Sequence, residues 1–231
     1  MIETFPTASD LADVAARDIA GLLAAAIDAR GRGVLVATGG RSPGAVYDRL
    51  RLASLDWNRI AVTLSDERLV PPASPDSNAQ LARRRLLSGP AAKANFTPLW
   101  SPSGSPPAAA RAAEPLVRRL MPFDVVMLGM GEDGHIASLI PGSHILSEAM
   151  DLASDRVVMG VPAGVGSPPL PRVTLTLPAL LQSNAIFLLI AGDAKREVVE
   201  RALAGADLPV RGVLAQGKVP VRILWAPSHG D

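Results

Sequence analysis

Three short apolar runs each end in a cluster of glycine or charged residues, and this repeated pairing restricts the folds open to the chain. Val34-Leu35-Val36-Ala37 leads into Thr38-Gly39-Gly40-Arg41-Ser42-Pro43, and Ile60-Ala61-Val62-Thr63-Leu64-Ser65 leads into the charged turn Asp66-Glu67-Arg68. Phe123-Asp124-Val125-Val126-Met127-Leu128 runs into Gly129-Met130-Gly131-Glu132-Asp133-Gly134-His135. Short apolar runs bounded by turn residues read as strands covered on both faces. Further strands are predicted over Arg156–Gly160, Ala185–Ala191 and Arg222–Trp225.

Helical patterns fall between these runs. From Ala8 to Ala29, residues Leu11, Val14, Ala15, Ile19, Leu22, Leu23 and Ile27 recur at helical spacing; Ser9 or Asp10 is the expected cap and Gly31-Arg32-Gly33 the stop. Pro43 suits the first position of a helix from Gly44 to Leu52. Ser77 or Asn78 caps a predicted helix through Leu86, and Asp193 to Leu203 reads as another. Loops are expected over Pro71–Asn78 and over residues 101–107. The alternation predicts an α/β fold, a mostly parallel open sheet with helices on both faces. A chain of 231 residues suits a single domain over 1–231, with two closely associated lobes as the alternative. Open sheets of this type assemble their sites at the carboxyl ends of strands, where all three polar turns would lie.

Composition removes several classes of function. Apolar residues make up 48% and charged residues 19%, which argues against disorder. Lysine plus arginine, 23, nearly equals aspartate plus glutamate, 22, so no nucleic-acid partner or anionic membrane surface is implied. Arg83-Arg84-Arg85 reads as a solvated helix face. Without cysteine there are no disulfides and no thiolate nucleophile. Met1–Pro6 lacks the pattern of a secretory signal, and Ala185–Ala191 is too short to span a bilayer, so a soluble, cytoplasmic protein is expected. Exposed helix faces do not distinguish surface from interface, and the oligomeric state stays open.

The turns hold the groups available for chemistry. Gly39-Gly40-Arg41-Ser42 offers exposed amides, a hydroxyl and a helix amino terminus to a phosphate, or is simply a tight turn. His135 suits general acid–base work or a structural hydrogen bond, while Asp133 and Asp66 can orient its ring, stabilise its charged form or handle protons themselves. Arg68, Arg172 and Lys195 supply positive charge for a phosphate or carboxylate. His144 and His229 read as noncatalytic. With three histidines and no HExxH or close two-histidine helical pair, a metal site is disfavoured. Neither GxxxxGK[ST] nor GxSxG occurs. Residues 129–134 match GxGxxG literally, which leaves a nicotinamide-dependent oxidoreductase as a minor alternative.

Taken in order, Thr38–Pro43, Ser65–Pro71, Pro75–Asn78, Gly129–Gly142, Pro171–Thr176 and Gly192–Lys195 resemble the 6-phosphogluconolactonases of the bacterial-type α/β family, across almost the whole chain. The resemblance implies a sugar-phosphate isomerase/deaminase-like modified Rossmann fold and hydrolysis of 6-phospho-D-glucono-1,5-lactone to 6-phosphogluconate. No cofactor is implied, and the partner is a small phosphorylated sugar lactone. It also implies Gly40, Ser42, Arg172 and Lys195 around the phosphate, Asp66, Arg68 and Asp133 as polar groups of the site, and His135 as the general base. The related glucosamine-6-phosphate deaminases place a glutamate five residues beyond that histidine and a tyrosine after the Asp-Glu pair. This chain has Ile140 and Arg68 there. Ser74 departs from the lactonase pattern, in which histidine is frequent before Pro75. A sugar-phosphate sensor that binds without turnover is the alternative from another class.

Overall fold

The computed structural model describes residues 1–102 and 105–228. In chain order the elements are β1 (Ile2–Thr4), α1 (Ala8–Arg30), β2 (Gly33–Ala37), α2 (Pro43–Leu50), β3 (Ile60–Leu64), β4 (Asp66–Arg68), α3 (Asn78–Arg85), β5 (Asn95–Phe96) and α4 (Pro106–Arg118). They continue with β6 (Phe123–Leu128), α5 (Leu146–Met150), β7 (Val158–Val161), β8 (Arg172–Leu175), α6 (Leu177–Leu180), β9 (Ser183–Ala191), α7 (Asp193–Leu203), α8 (Pro209–Leu214) and β10 (Val221–Ala226). Among the described residues seven strands form one parallel sheet, ordered β1-β10-β9-β6-β2-β3-β5, and three form an antiparallel sheet, β4-β8-β7.

The strand order determines where a ligand can enter. From β2 the chain steps outward through β3 to β5; it then returns to the other side of β2 with β6 and steps outward through β9 to β10. Right-handed crossovers require the helices of the first half on one face and those of the second half on the other. The packing agrees, α1 on α2 and α2 on α3 in one group, α7 on α8 in the other. Coverage from both sides explains why every residue of β2 and β6 is buried; β2 is apolar throughout, and β6 is apolar except for Asp124, whose buried carboxylate accepts from the Val34 amide at 2.8 Å and from Arg30. The reversal between β2 and β6 opens a crevice beyond their carboxyl ends, the switch point of an open α/β sheet.

Several local expectations change in the folded chain. The cap of α1 is Thr7, whose hydroxyl accepts from the Asp10 amide at 3.1 Å and donates to the Asp10 carboxylate at 2.6 Å; Ser9 and Asp10 lie inside the first turn. Asp66-Glu67-Arg68, read as a turn, is the strand β4, because antiparallel pairing to β8 supplies the partner that three charged residues do not advertise. The loop expected over 101–107 ends early: Ser105 caps α4, which starts at Pro106, and residues 103 and 104 lie outside the described residues. Ser77 is the cap of α3, accepting from the Gln80 amide at 3.1 Å. The strand expected over 156–160 runs from Val158 to Val161. No helix among the described residues is long and apolar enough to cross a membrane.

Candidate active site

The turn after β2 is fixed from beneath. Tyr47 of α2 is fully buried, and its hydroxyl donates to the Thr38 carbonyl at 2.6 Å while accepting from the Thr38 amide at 2.8 Å. Burial pushes the phenol's pKa up, so it remains a donor. Gly40 then takes φ 100°, a conformation open to glycine, and Pro43 begins α2. Ser42 precedes the helix without spending its hydroxyl on a cap. Gly39 is needed for a different reason: a Cβ there would overlap the Asn78 carboxamide, 2.5 Å from its Cγ.

The turn after β6 is closed by Gly131 donating to the His135 carbonyl at 3.0 Å and Gly134, at φ 79°, donating to the Gly131 carbonyl at 3.0 Å. This folds Asp133 back onto its neighbour: Asp133 Oδ1 lies 2.6 Å from His135 Nδ1 and accepts from the His135 amide at 3.2 Å. A carboxylate only accepts, so this contact is a hydrogen bond when Nδ1 carries the proton, the tautomer that leaves Nε2 free to accept one. A Cβ on Gly131 would overlap the imidazole and lie 2.5 Å from Asp133 Oδ1, so the pair closes only over glycine.

Between these turns lies a cavity of about 260 Å³. Gly40, Ser42, Asp66, Arg68, His135, Arg172 and Lys195 all line it; Asp133 stands behind His135, outside the lining. Thr38, Arg41, Asn78, Ala137 and Ser167 complete much of the wall; Arg41 belongs to the candidate phosphate turn, and the other four carry no site signal in the sequence. His144 is exposed and lines no part of it, and His229 lies outside the described residues.

Asp66 and Arg172 are buried, 5% and 3% exposed, with Oδ2 and Nη1 3.8 Å apart. Asp66 accepts from Ser138 Oγ at 2.6 Å, Ser65 Oγ at 3.2 Å and Asn78 Nδ2 at 3.2 Å. Arg172 donates to the Pro168 carbonyl at 2.8 Å, and Arg68 to the Asp76 carbonyl at 2.7 Å. The Nε atoms of both arginines are buried without a partner among the described residues. Burial lowers the pKa of Arg172, Asp66 opposing and Arg68 reinforcing the effect. Burial also lowers that of Lys195, with Arg41 adding and Glu132 opposing. Cations held this way gain most when an anion arrives.

A further residue is visible only in the fold. Glu67 is wholly buried and accepts from the amides of Arg68, Asn78 and Ala79 at 2.7 to 2.8 Å and from Ser77 Oγ at 3.1 Å. Burial raises its pKa and the three amides pull it down. No spacing rule links it to residues ten or more positions away, so the sequence carried no signal for the contact.

Fold and cavity define a class: an α/β protein with an anion-receptive crevice at the switch point of a parallel sheet, one wall bearing a carboxylate-oriented histidine. The family model described as glucosamine-6-phosphate isomerases/6-phosphogluconolactonase matches residues 6–225, and the chain belongs to that family. It is 45% identical over 225 residues to the 6-phosphogluconolactonase of Caulobacter vibrioides, covering 97% of each chain. It is 41% identical over 228 residues to that of Rhizobium meliloti, covering 96% of this chain and 97% of the relative. The crystal structure of a 6-phosphogluconolactonase from Shewanella baltica superposes with a TM-score of 0.91 at 36% identity, covering 98% of this chain and 97% of the other.

Proposed function

We propose that this chain is a 6-phosphogluconolactonase, hydrolysing 6-phospho-D-glucono-1,5-lactone to 6-phospho-D-gluconate in the oxidative pentose phosphate pathway. Near-full-length similarity to proteins of that name supports the reaction. The observation that carries the chemistry is the 2.6 Å contact from Asp133 to His135, whose ring lies in the wall of a cavity lined by Arg68, Arg172 and Lys195.

The phosphate is taken by the Gly40–Ser42 turn, Lys195 and Arg172, which fixes where C1 of the lactone lies. His135 Nε2 removes a proton from water as its oxygen attacks C1. Arg68 stabilises the oxyanion that develops. The imidazolium then returns the proton to the ring oxygen as the C1–O bond breaks, and the new carboxylic acid ionises. Asp133 keeps the ring in the required tautomer. Asp66, its oxygens already engaged, positions Arg172 rather than moving protons. Charge stabilisation comes from protein cations, so activity is expected to survive chelation. Residues 1–231 act as a single catalytic domain in the cytoplasm.

At the position five beyond His135, where the deaminases' glutamate stands, Ile140 is buried and lines no part of the cavity. The test follows disappearance of freshly made phosphorylated lactone with chelator present, beside ammonia release from glucosamine-6-phosphate. Accelerated lactone loss without ammonia is expected. No acceleration over spontaneous hydrolysis would overturn the lactonase reading, and ammonia release would favour the deaminase.

A further inference from the structure

We infer that Glu67 is a positioning residue for Arg68, setting where its guanidinium stands in the cavity through the first turn of α3. On a strand, alternate residues share a face. Asp66 and Arg68 line the cavity, whereas Glu67 between them is wholly buried and bonded to α3 and to the backbone of β4.

The contacts form a staple. Glu67 Oε1 accepts from the Arg68 amide at 2.8 Å and the Asn78 amide at 2.7 Å; Oε2 accepts from the Ala79 amide at 2.7 Å and Ser77 Oγ at 3.1 Å. Asn78 and Ala79 open α3, so Glu67 satisfies two amides that have no partner within the helix and pins that end to β4. The pinned end then acts on the cavity. The Asp76 carbonyl, two residues before Asn78, accepts from Arg68 Nη1 at 2.7 Å, and Asn78 Nδ2 donates to the Asp66 carbonyl at 2.9 Å. Arg68 is thus gripped at its amide by Glu67 directly and at its guanidinium by the segment Glu67 holds. With Nε unpartnered among the described residues, little else fixes the aim of that side chain.

Glu67→Gln keeps the shape but turns an NH2 toward groups that donate, so α3 shifts and Arg68 shifts with it. The inference rests on the reading that Arg68 stabilises the oxyanion. Its test measures kcat and KM for the phosphorylated lactone in Glu67→Gln, Arg68→Ala and the double variant, each checked for folding. Glu67→Gln is expected to lose at least about tenfold in kcat with KM within about threefold of the parent, and to cost less than about twofold on the Arg68→Ala background. A purely structural role would not produce that split or that lack of additivity. Parent-like kcat in folded Glu67→Gln beside a slow Arg68→Ala, or losses that multiply in the double variant, would overturn the positioning role alone. Parent-like kcat in Arg68→Ala would overturn the role of Arg68 and, with it, any action of Glu67 through it. Should Glu67→Gln fail to fold, Glu67→Asp keeps the charge and shortens its reach; a loss of about threefold or more, absent on the Arg68→Ala background, is expected. Parent-like kcat there would overturn the inference.

Discussion

Asp66 and Asp133 each follow a strand that flanks β2, one beyond β3 and the other beyond β6, yet they are held in opposite ways. Asp66 is buried, accepts from three side chains and faces the buried Arg172. The Asp133 carboxylate is 45% exposed, and its bonds among the described residues go to His135 alone. A carboxylate that is buried and saturated becomes scaffold, since losing it strands a buried cation. One that is open, with a single directed bond, aims a neighbouring ring at little cost to folding. The same residue type therefore stands in two different settings, separated by solvent and by the number of donors around it, and the two roles proposed for it follow that difference.

Substitutions on the two walls should separate rate from stability. The largest expected effect is on His135→Asn: a fall in kcat of about 10² to 10⁴, the usual worth of a general base, with the melting temperature nearly unchanged because the ring is partly exposed. Asp66→Asn is expected to destabilise by about 3 kcal/mol in denaturant titration, because Arg172 stays buried without its anion. A stable Asp66→Asn with a lost rate would place Asp66 in the chemistry and break the contrast. Gly131→Ala sharpens it from the other side: a Cβ displaces the imidazole, so kcat should fall at least about tenfold while unfolding stays close to the parent's.

The smallest effect belongs to a cluster outside the cavity lining, where Arg222 of β10 bridges Glu3 of β1 and Asp18 of α1. The hydrogen bond from Arg222 lowers the pKa of Glu3. Burial is the largest influence on Asp18 and raises its pKa, but hydrogen bonds from Arg17 and Arg222 outweigh it. Lowered carboxylate pKa values stabilise the fold above the ordinary range, near pH 4, and that contribution disappears as pH falls through the folded values. Arg222→Met should therefore cost less than about 1 kcal/mol at pH 7 by thermal unfolding, and the gap to the parent should narrow below about pH 4. A gap that widened in acid would contradict the sign.

The two walls were also unequally legible in the sequence. The His135 wall is local: strand, glycines, carboxylate and imidazole lie within 13 residues, and their order states their geometry. Likewise β2, β3, β6, β9 and β10 announce themselves because burial on both faces leaves mostly apolar runs, interrupted by single polar residues such as Asp124 and Arg222. The Asp66 wall is assembled from afar. Glu67 meets Ala79, Asp66 meets Ser138 and Arg172, and Asn78 meets Gly39, contacts that exist only once α3 and β8 are in place. For the same reason β4 reads as a turn in the sequence, and Asn78 reads as one of two candidate caps, beside Ser77, rather than as part of the cavity wall. The strand β1 went unread because three residues are too few to show a period.

In the proposed reaction Asp133 holds His135 with its proton on Nδ1 and leaves Nε2 to take a proton from water. Nitrogen-15 NMR of the imidazole in the neutral ring tests it directly. The expected spectrum has a protonated Nδ1 and a bare Nε2, with that preference lost in Asp133→Ala. A ring protonated at Nε2 in the parent protein, or a tautomer unchanged by Asp133→Ala, would contradict the claim.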